Sequence, residues 1–153
     1  MRSGAEGFMR LMVLVAVLTA FAGPALAGEW RPVAQGDDMV AGIDYSRITD
    51  VGGRKQVWII KSLRYHNHEA VSYTLGRAEF DCDARTIRRI SLAGFTADGR
   101  SIYSMQMSPE IEQVIPDTIN DKLMEATCDG RRFWDVASET GPALHAYLQR
   151  IWW

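Results

Sequence analysis

The sequence predicts an α+β fold in which about six antiparallel strands carry a C-terminal helix, with one disulfide. Segments of alternating polar and apolar residues follow one another from position 30 to position 107. Short turns separate them, which favours an antiparallel meander because parallel strands need long crossovers. A helix-start signal, Asp117-Thr118, comes only after these strands. The two cysteines stand at the end of one strand and at the end of that helix.

Each predicted strand shows a period of two or a short apolar run between turn residues. Pro32 cannot donate to a ladder, which predicts that the first strand is an edge. The six predicted strands are Trp30–Val33, Met39–Asp44, Gln56–Leu63, Ser72–Cys82, Thr86–Phe95 and Ser101–Met107. Predicted inward positions in the last three are Ala78, Phe80, Cys82, Ile90, Leu92, Tyr103, Met105 and Met107. Predicted outward positions are Arg77, Glu79 and Asp81.

Two helices follow the strands. The first runs from the Asp117-Thr118 cap to about Thr127, and Gly130 suits the left-handed conformation that often follows a helix end. Gly141-Pro142 can open the second, whose apolar residues recur with helical spacing. This aromatic C-terminal helix has three interpretations: it completes the core on the open sheet face, forms a partner or homodimer surface, or binds a membrane surface.

The N-terminus has the pattern of a secretory signal peptide. Arg2 and Arg10 precede the apolar run Leu11–Ala22, and Ala25-Leu26-Ala27 is a small-residue cleavage signature. The run is short of the roughly 20 residues that a membrane span needs. An uncleaved anchor is the alternative, and Pro24 argues against its continuing helix. We therefore expect residues 1–27 to be removed, with no transmembrane segment after cleavage.

The mature chain would be slightly acidic. Removing Arg2, Arg10 and Glu6 from the 17 basic and 19 acidic residues leaves a net charge of −3. This charge, with no basic cluster, argues against a nucleic-acid partner. No cysteine lies near the predicted cleavage site, so we expect a periplasmic or secreted protein without a lipid anchor.

Cys82 and Cys128 are the only cysteines in the chain, and they lack the Cys-x-x-Cys spacing of redox or zinc motifs. Two thiols in an exported chain most simply form one disulfide. A Cys82–Cys128 bond would hold the first helix to the inner face of the sheet.

An ordered set of motifs resembles the surface-adhesin protein E-like family. The set comprises Trp30, Ile43-Asp44-Tyr45-Ser46-Arg47-Ile48, Gly52-Gly53, Val57-Trp58, Phe80-Asp81-Cys82, Gly99, Ile115-Pro116-Asp117-Thr118 and Cys128. The resemblance implies an antiparallel sheet with a packed helix and a cysteine bridge near the C-terminus. The family's founding member binds host extracellular-matrix and serum proteins. The family pattern places an aromatic residue near position 113, where this sequence has Gln113. Residues 28–129 would form this domain and residues 130–153 a helical extension.

Residues suited to catalysis or metal binding are sparse. His66 and His68 would share one side of a strand, but they lie in a predicted loop without an obvious third ligand, so no metal or other cofactor is expected. Asp81 and Asp83 are the best carboxylate pair, and they fit a solvated strand end better. No nucleophile motif appears, so we expect no catalytic residues and no enzyme.

The leading hypothesis is thus an exported small binding domain with a protein partner and an adhesion-type role. The alternative is a soluble periplasmic accessory or structural protein of the envelope that has no adhesion role.

Overall fold

The computed structural model describes residues 27–64 and 70–152. The signal-peptide motifs before Ala27, and the His66/His68 pair, lie outside the described residues. The strands are β1 Trp30–Gln35, β2 Met39–Asp44, β3 Thr49–Val51, β4 Arg54–Leu63, β5 Tyr73–Asp81, β6 Thr86–Phe95, β7 Ser101–Gln106 and β8 Ile111–Gln113. The helices are α1 Ile119–Asp129 and α2 Gly141–Ile151, and a 3-10 turn spans Tyr45–Arg47.

One antiparallel sheet holds all eight of these strands, in the order β1-β2-β4-β5-β6-β7. β3 pairs with β4, and β8 pairs with β6 beside β7. The predicted α+β class is therefore confirmed, with two more strands than the alternation pattern showed. β3 and β8 are three residues long and wholly exposed, which is too short for a period of two to be visible.

The two helices pack on opposite faces of the sheet. On the first face, Leu123, Met124 and Ala126 of α1 join a core that contains Val57 and Phe80. On the second face, Leu144 and Leu148 of α2 join a separate core with Trp30, Ile60 and Tyr73. The central strand β4 supplies residues to both cores, as its apolar residues on alternate sides predict.

α1 is held at both ends. Its cap, Thr118, accepts a hydrogen bond from the Asp121 N–H, and Gly130 ends the helix at φ 67°. Near the first turn, the Asp121 carboxylate accepts a hydrogen bond from Arg85 at 2.6 Å. At the other end, the Cys82–Cys128 disulfide joins the helix to the end of β5, as predicted.

The C-terminal segment completes the second core. Thr140 caps α2 by accepting from the Ala143 N–H, and Leu144 and Leu148 are fully buried. Ser138 forms an antiparallel bridge with Trp30, with backbone hydrogen bonds of 2.9 Å in both directions. Of the three interpretations of this helix, core packing is the one that the structure confirms.

Three residues differ in burial from what the alternation predicts. A bulge opposite Arg77/Ala78 leaves Ile90 without a partner on β5, so Ile87 is the buried large apolar residue of β6 while Ile90 is half-buried. Glu79, predicted to face outward, is only 3% exposed because arginine side chains cover it. Met105, predicted to face inward, is 47% exposed because β7 lies beyond both helices.

None of the helices in the described part of the chain is long and apolar enough to cross a membrane.

Candidate binding surfaces

One edge of the sheet, β7, is open. Within residues 27–64 and 70–152, β7 pairs only with β6, and five of its six residues are exposed. Ile102 is 39% exposed and Met105 47%, and Ile111 of the adjoining β8 reaches 64%. An edge strand presents unpaired N–H and C=O groups, and natural proteins often protect such edges with lysines, prolines or bulges. β7 itself contains neither lysine nor proline, and the irregularity in its pairing with β6 is confined to Ile102 near its start.

The opposite edge, β1, is protected. The C-terminal segment runs along it: Gly28 donates to the Glu139 carbonyl, and Trp30 exchanges backbone hydrogen bonds with Ser138. Pro32 and a bulge between Pro32 and Ala34 further interrupt the strand. The sheet therefore has one closed edge and one open edge.

A cleft opens on the first face beside α1. It measures about 440 Å³ including its solvent-open mouth. α1 covers mainly β1 and β2, which leaves this part of β4, β5 and β6 uncovered. Apolar side chains form most of the wall: Ile59, Ala78, Ile87, Leu92, Met107 and Leu123.

Three basic residues line the same cleft: Lys61 from β4, Arg77 from β5 and Arg89 from β6. The Arg77 guanidinium lies over the Trp58 ring, 5.8 Å from its centroid. Arg89 pairs with Glu112 of β8. Lys61 makes no ion pair with any residue of the described chain. Burial lowers the pKa of Lys61, the Arg89 charge lowers it further, and the Glu112 charge raises it in part. The cleft thus combines an apolar wall with a lysine that lacks a contacting counter-ion.

A buried Ser–His pair lies on the second face. The Ser62 Oγ and the His145 Nδ1 are 2.7 Å apart, and the His145 ring lies 4.7 Å from that of Tyr73. Ser62 is 0% exposed and His145 3%, so a substrate has no access to the hydroxyl. The pair therefore joins α2 to β4 and does not form an exposed nucleophile–base unit.

Glu79 is the centre of a charged cluster near the end of β5. It accepts hydrogen bonds from Gln56 at 3.0 Å and Arg88 at 2.9 Å, and Arg54 lies 3.6 Å away. Burial alone would raise the pKa of Glu79, but the hydrogen bonds and the two arginine charges lower it by more in sum. The other three side chains all contact Glu79, so this cluster joins β4, β5 and β6 and has a structural role.

Of the residues singled out by sequence, the structure brings Cys82 and Cys128 together, with Cα atoms 5.9 Å apart. Asp81 accepts a hydrogen bond from the Ala84 N–H at 2.9 Å, which is a turn contact. No group of three potential metal ligands occurs in the described ranges. Lys61 and Arg89 were not predicted, because an isolated lysine in a strand carries no motif. The position of Lys61 directly after the apolar residues of β4 was the one feature of the sequence that could have indicated this site.

The described chain is thus an α+β domain in which an eight-stranded antiparallel sheet has a disulfide-tethered helix, an open edge and a cleft on one face. The family model of surface-adhesin protein E matches residues 30–129, and the chain belongs to that family. The match ends at the last residue of α1, so α2 and the segment that closes the β1 edge lie outside it.

Among solved structures, crystal form II of Haemophilus influenzae protein E is similar, with a TM-score of 0.49 at 10% sequence identity. The alignment covers 65% of this chain and 93% of that chain. A search of curated proteins finds no significant match.

Proposed function

We propose that this chain is an exported, adhesin-type domain that binds a protein partner by strand addition at the β7 edge. The open edge carries the proposal, because an added strand would pair with unpaired backbone groups and pack on exposed Ile102 and Met105. Family membership supports a role in adhesion. The partner is then recognised mainly through its extended backbone.

The direction of the β7 backbone groups follows from one contact. The Met107 N–H donates to the Ile90 carbonyl at 3.0 Å, so it faces β6. Because alternate residues of a strand face opposite ways, the backbone groups of Ser104 and Gln106 face away from β6. These are the groups that an added strand would use.

A proline at position 104 tests this proposal. Ser104→Pro removes an outward N–H at an exposed edge position, where proline is tolerated, and Ser104→Ala is the matched control. The probe is an immobilised preparation of host extracellular-matrix proteins, with bound protein measured over a concentration series. We expect the wild type and Ser104→Ala to bind equally and Ser104→Pro to lose binding, with unchanged thermal unfolding. Equal binding by a folded Ser104→Pro variant would refute the edge as the site.

The same edge is open to a second copy of the chain, so self-association is tested in parallel. Sedimentation of the wild type over a concentration series reports whether two copies pair through β7. A dimer that Ser104→Pro dissociates would make a second copy the occupant of the edge. A dimer unaffected by Ser104→Pro would place any homodimer contact elsewhere.

Binding without catalysis is part of the proposal. It rests on the buried state of the Ser62–His145 pair and on the adhesin family of the chain. We further propose export to the periplasm or the medium without a lipid anchor, because both cysteines are in the disulfide and neither thiol is free to be acylated.

A periplasmic accessory role without adhesion is the second candidate. Both cysteines are bonded in the disulfide, so neither can carry a lipid that would tether the protein at the cell surface, and this favours the second candidate. Fractionation with protease treatment of intact cells separates the two. Protein released to the medium or cleaved on intact cells supports adhesion, and protein protected inside the envelope supports the accessory role.

A further inference from the structure

The cleft beside α1 is independent of the β7 edge, and its chemistry points to a second ligand. We propose that it binds a small carboxylate carried on an apolar stem, with Lys61 and Arg89 facing the carboxylate and the apolar wall holding the stem. The argument rests on the residues that line the cleft.

The position of Lys61 is the first step. Its side chain is partly buried among Ile59, Ile87 and Leu123, although lysine is strongly hydrated and costly to remove from water. Buried cations in proteins are normally paired. Lys61 has no ion-pair partner among the described residues, whereas Lys55 on the same strand pairs with Asp50 at 3.5 Å. An anion in the cleft would supply the missing counter-charge.

The local charge balance is the second step. Arg89 also lines the cleft, and the nearby acid, Glu112, is bound to it. The basic residues that line the cleft outnumber this one carboxylate, which leaves a net positive charge. A carboxylate that contacts Lys61 would raise the lysine pKa, which burial and Arg89 lower. A positive cleft of this kind favours anionic over neutral ligands.

The apolar wall is the third step. Six apolar side chains line a space that a fully polar anion, such as phosphate, would not fill favourably. A fatty carboxylate and the C-terminal residue of an apolar peptide share the required chemistry.

Calorimetric titration with octanoate tests the proposal, with octanamide as the neutral probe of the same stem. We expect octanoate to bind and octanamide to bind at least about tenfold more weakly. A hydrogen bond to a charged group contributes about 1.5 kcal/mol or more, which corresponds to about a tenfold change in affinity. Two further arms distinguish the ligand sources: a tetrapeptide ending in leucine with a free carboxylate, and the same peptide amidated. Binding in either carboxylate arm, with its neutral counterpart weaker, supports the site and identifies the source.

Substitutions assign the binding to the cleft. Lys61→Met keeps the length of the stem and should weaken octanoate binding about tenfold, whereas Lys61→Arg should retain most of it. Lys55→Met, which removes a paired lysine from the same strand outside the cleft, should bind like the wild type. NMR titration of the Lys61 ammonium should show its pKa rising when octanoate is present.

Absence of binding in both carboxylate arms would overturn the inference, as would equal affinity for octanoate and octanamide or unchanged affinity in Lys61→Met. These results would leave the proposal for the β7 edge untouched, because Ser104 does not line the cleft.

Discussion

Removing the Cys82–Cys128 disulfide should destabilise the domain without changing its fold. The bond closes a sequence separation of 46 residues. On the loop-entropy relation, a closed loop of this length contributes about 4 kcal/mol to the free energy of unfolding at 25 °C. Both cysteines are only half-buried, so replacement by alanine adds little cavity cost. The double variant Cys82→Ala/Cys128→Ala should therefore lose about 4 kcal/mol.

The native arrangement of α1 should survive this change. Leu123, Met124 and Ala126 keep the helix on the first face, and the Arg85–Asp121 pair still holds its first turn. A loss of about 4 kcal/mol is a large share of the 5–15 kcal/mol typical of a domain. We therefore expect a folded variant with a much lower denaturation midpoint.

Urea unfolding followed by tryptophan fluorescence measures the effect, with linear extrapolation of the free energy. Oxidised wild type, wild type under reductant and the double variant are compared, and the last two should coincide. A loss below about 1 kcal/mol would refute the reasoning, because it would mean that the tether barely restricts the unfolded chain. Loss of the helical circular-dichroism signal of the double variant, with the sheet intact, would refute the claim that packing alone holds α1.

Three further predictions concern the packing and the charged cluster. Leu148 is fully buried in the second core, so Leu148→Ala should lower the free energy of unfolding by about 3 kcal/mol, measured by thermal denaturation. Ile151 on the same helix is 49% exposed, so Ile151→Ala should lower it by under about 1 kcal/mol. Equal losses would contradict the packing of α2. Gly42→Ala should cost about 1–3 kcal/mol because its Cβ would meet the Arg31 carbonyl oxygen at 2.5 Å, whereas Gly36→Ala, whose nearest contact is 3.4 Å, should be close to neutral by urea unfolding. Because the folded pKa of Glu79 is lowered, its contribution to stability is complete above the ordinary glutamate pKa of about 4.3 and is lost as pH falls through the lower folded value. Unfolding free energies measured between pH 6 and pH 2 should therefore fall less steeply for Glu79→Gln, and parallel curves would contradict this assignment.

Most of the secondary-structure elements could be predicted from interactions between residues that are close in sequence. The strands β5 and β7, the Thr118 cap and the left-handed Gly130 depend on neighbours within a few residues, and the structure has these elements where expected. The disulfide followed from the count of cysteines and the expected compartment. The aromatic helix α2 was also visible, because its apolar residues recur at helical spacing.

Long-range geometry decided the rest. Because of the bulge opposite Arg77/Ala78, Ile87 and not Ile90 is buried in the core. No nearby residue in the sequence predicts this change of register. Glu79 is buried because Arg54 and Arg88 meet above it from neighbouring strands. The assignment of α1 and α2 to opposite faces likewise depends on where the chain returns after β8.

The sequence by itself determined the order of strands and helices and the cysteine pair, because those depend on periodicity, caps and thiol chemistry along the chain. Only the tertiary structure decided which edge stays open and which lysine lacks a partner. Lys61 and Arg89 are 28 positions apart in sequence, and they share a cleft because β4, β5 and β6 pair side by side while α1 lies to one side of them.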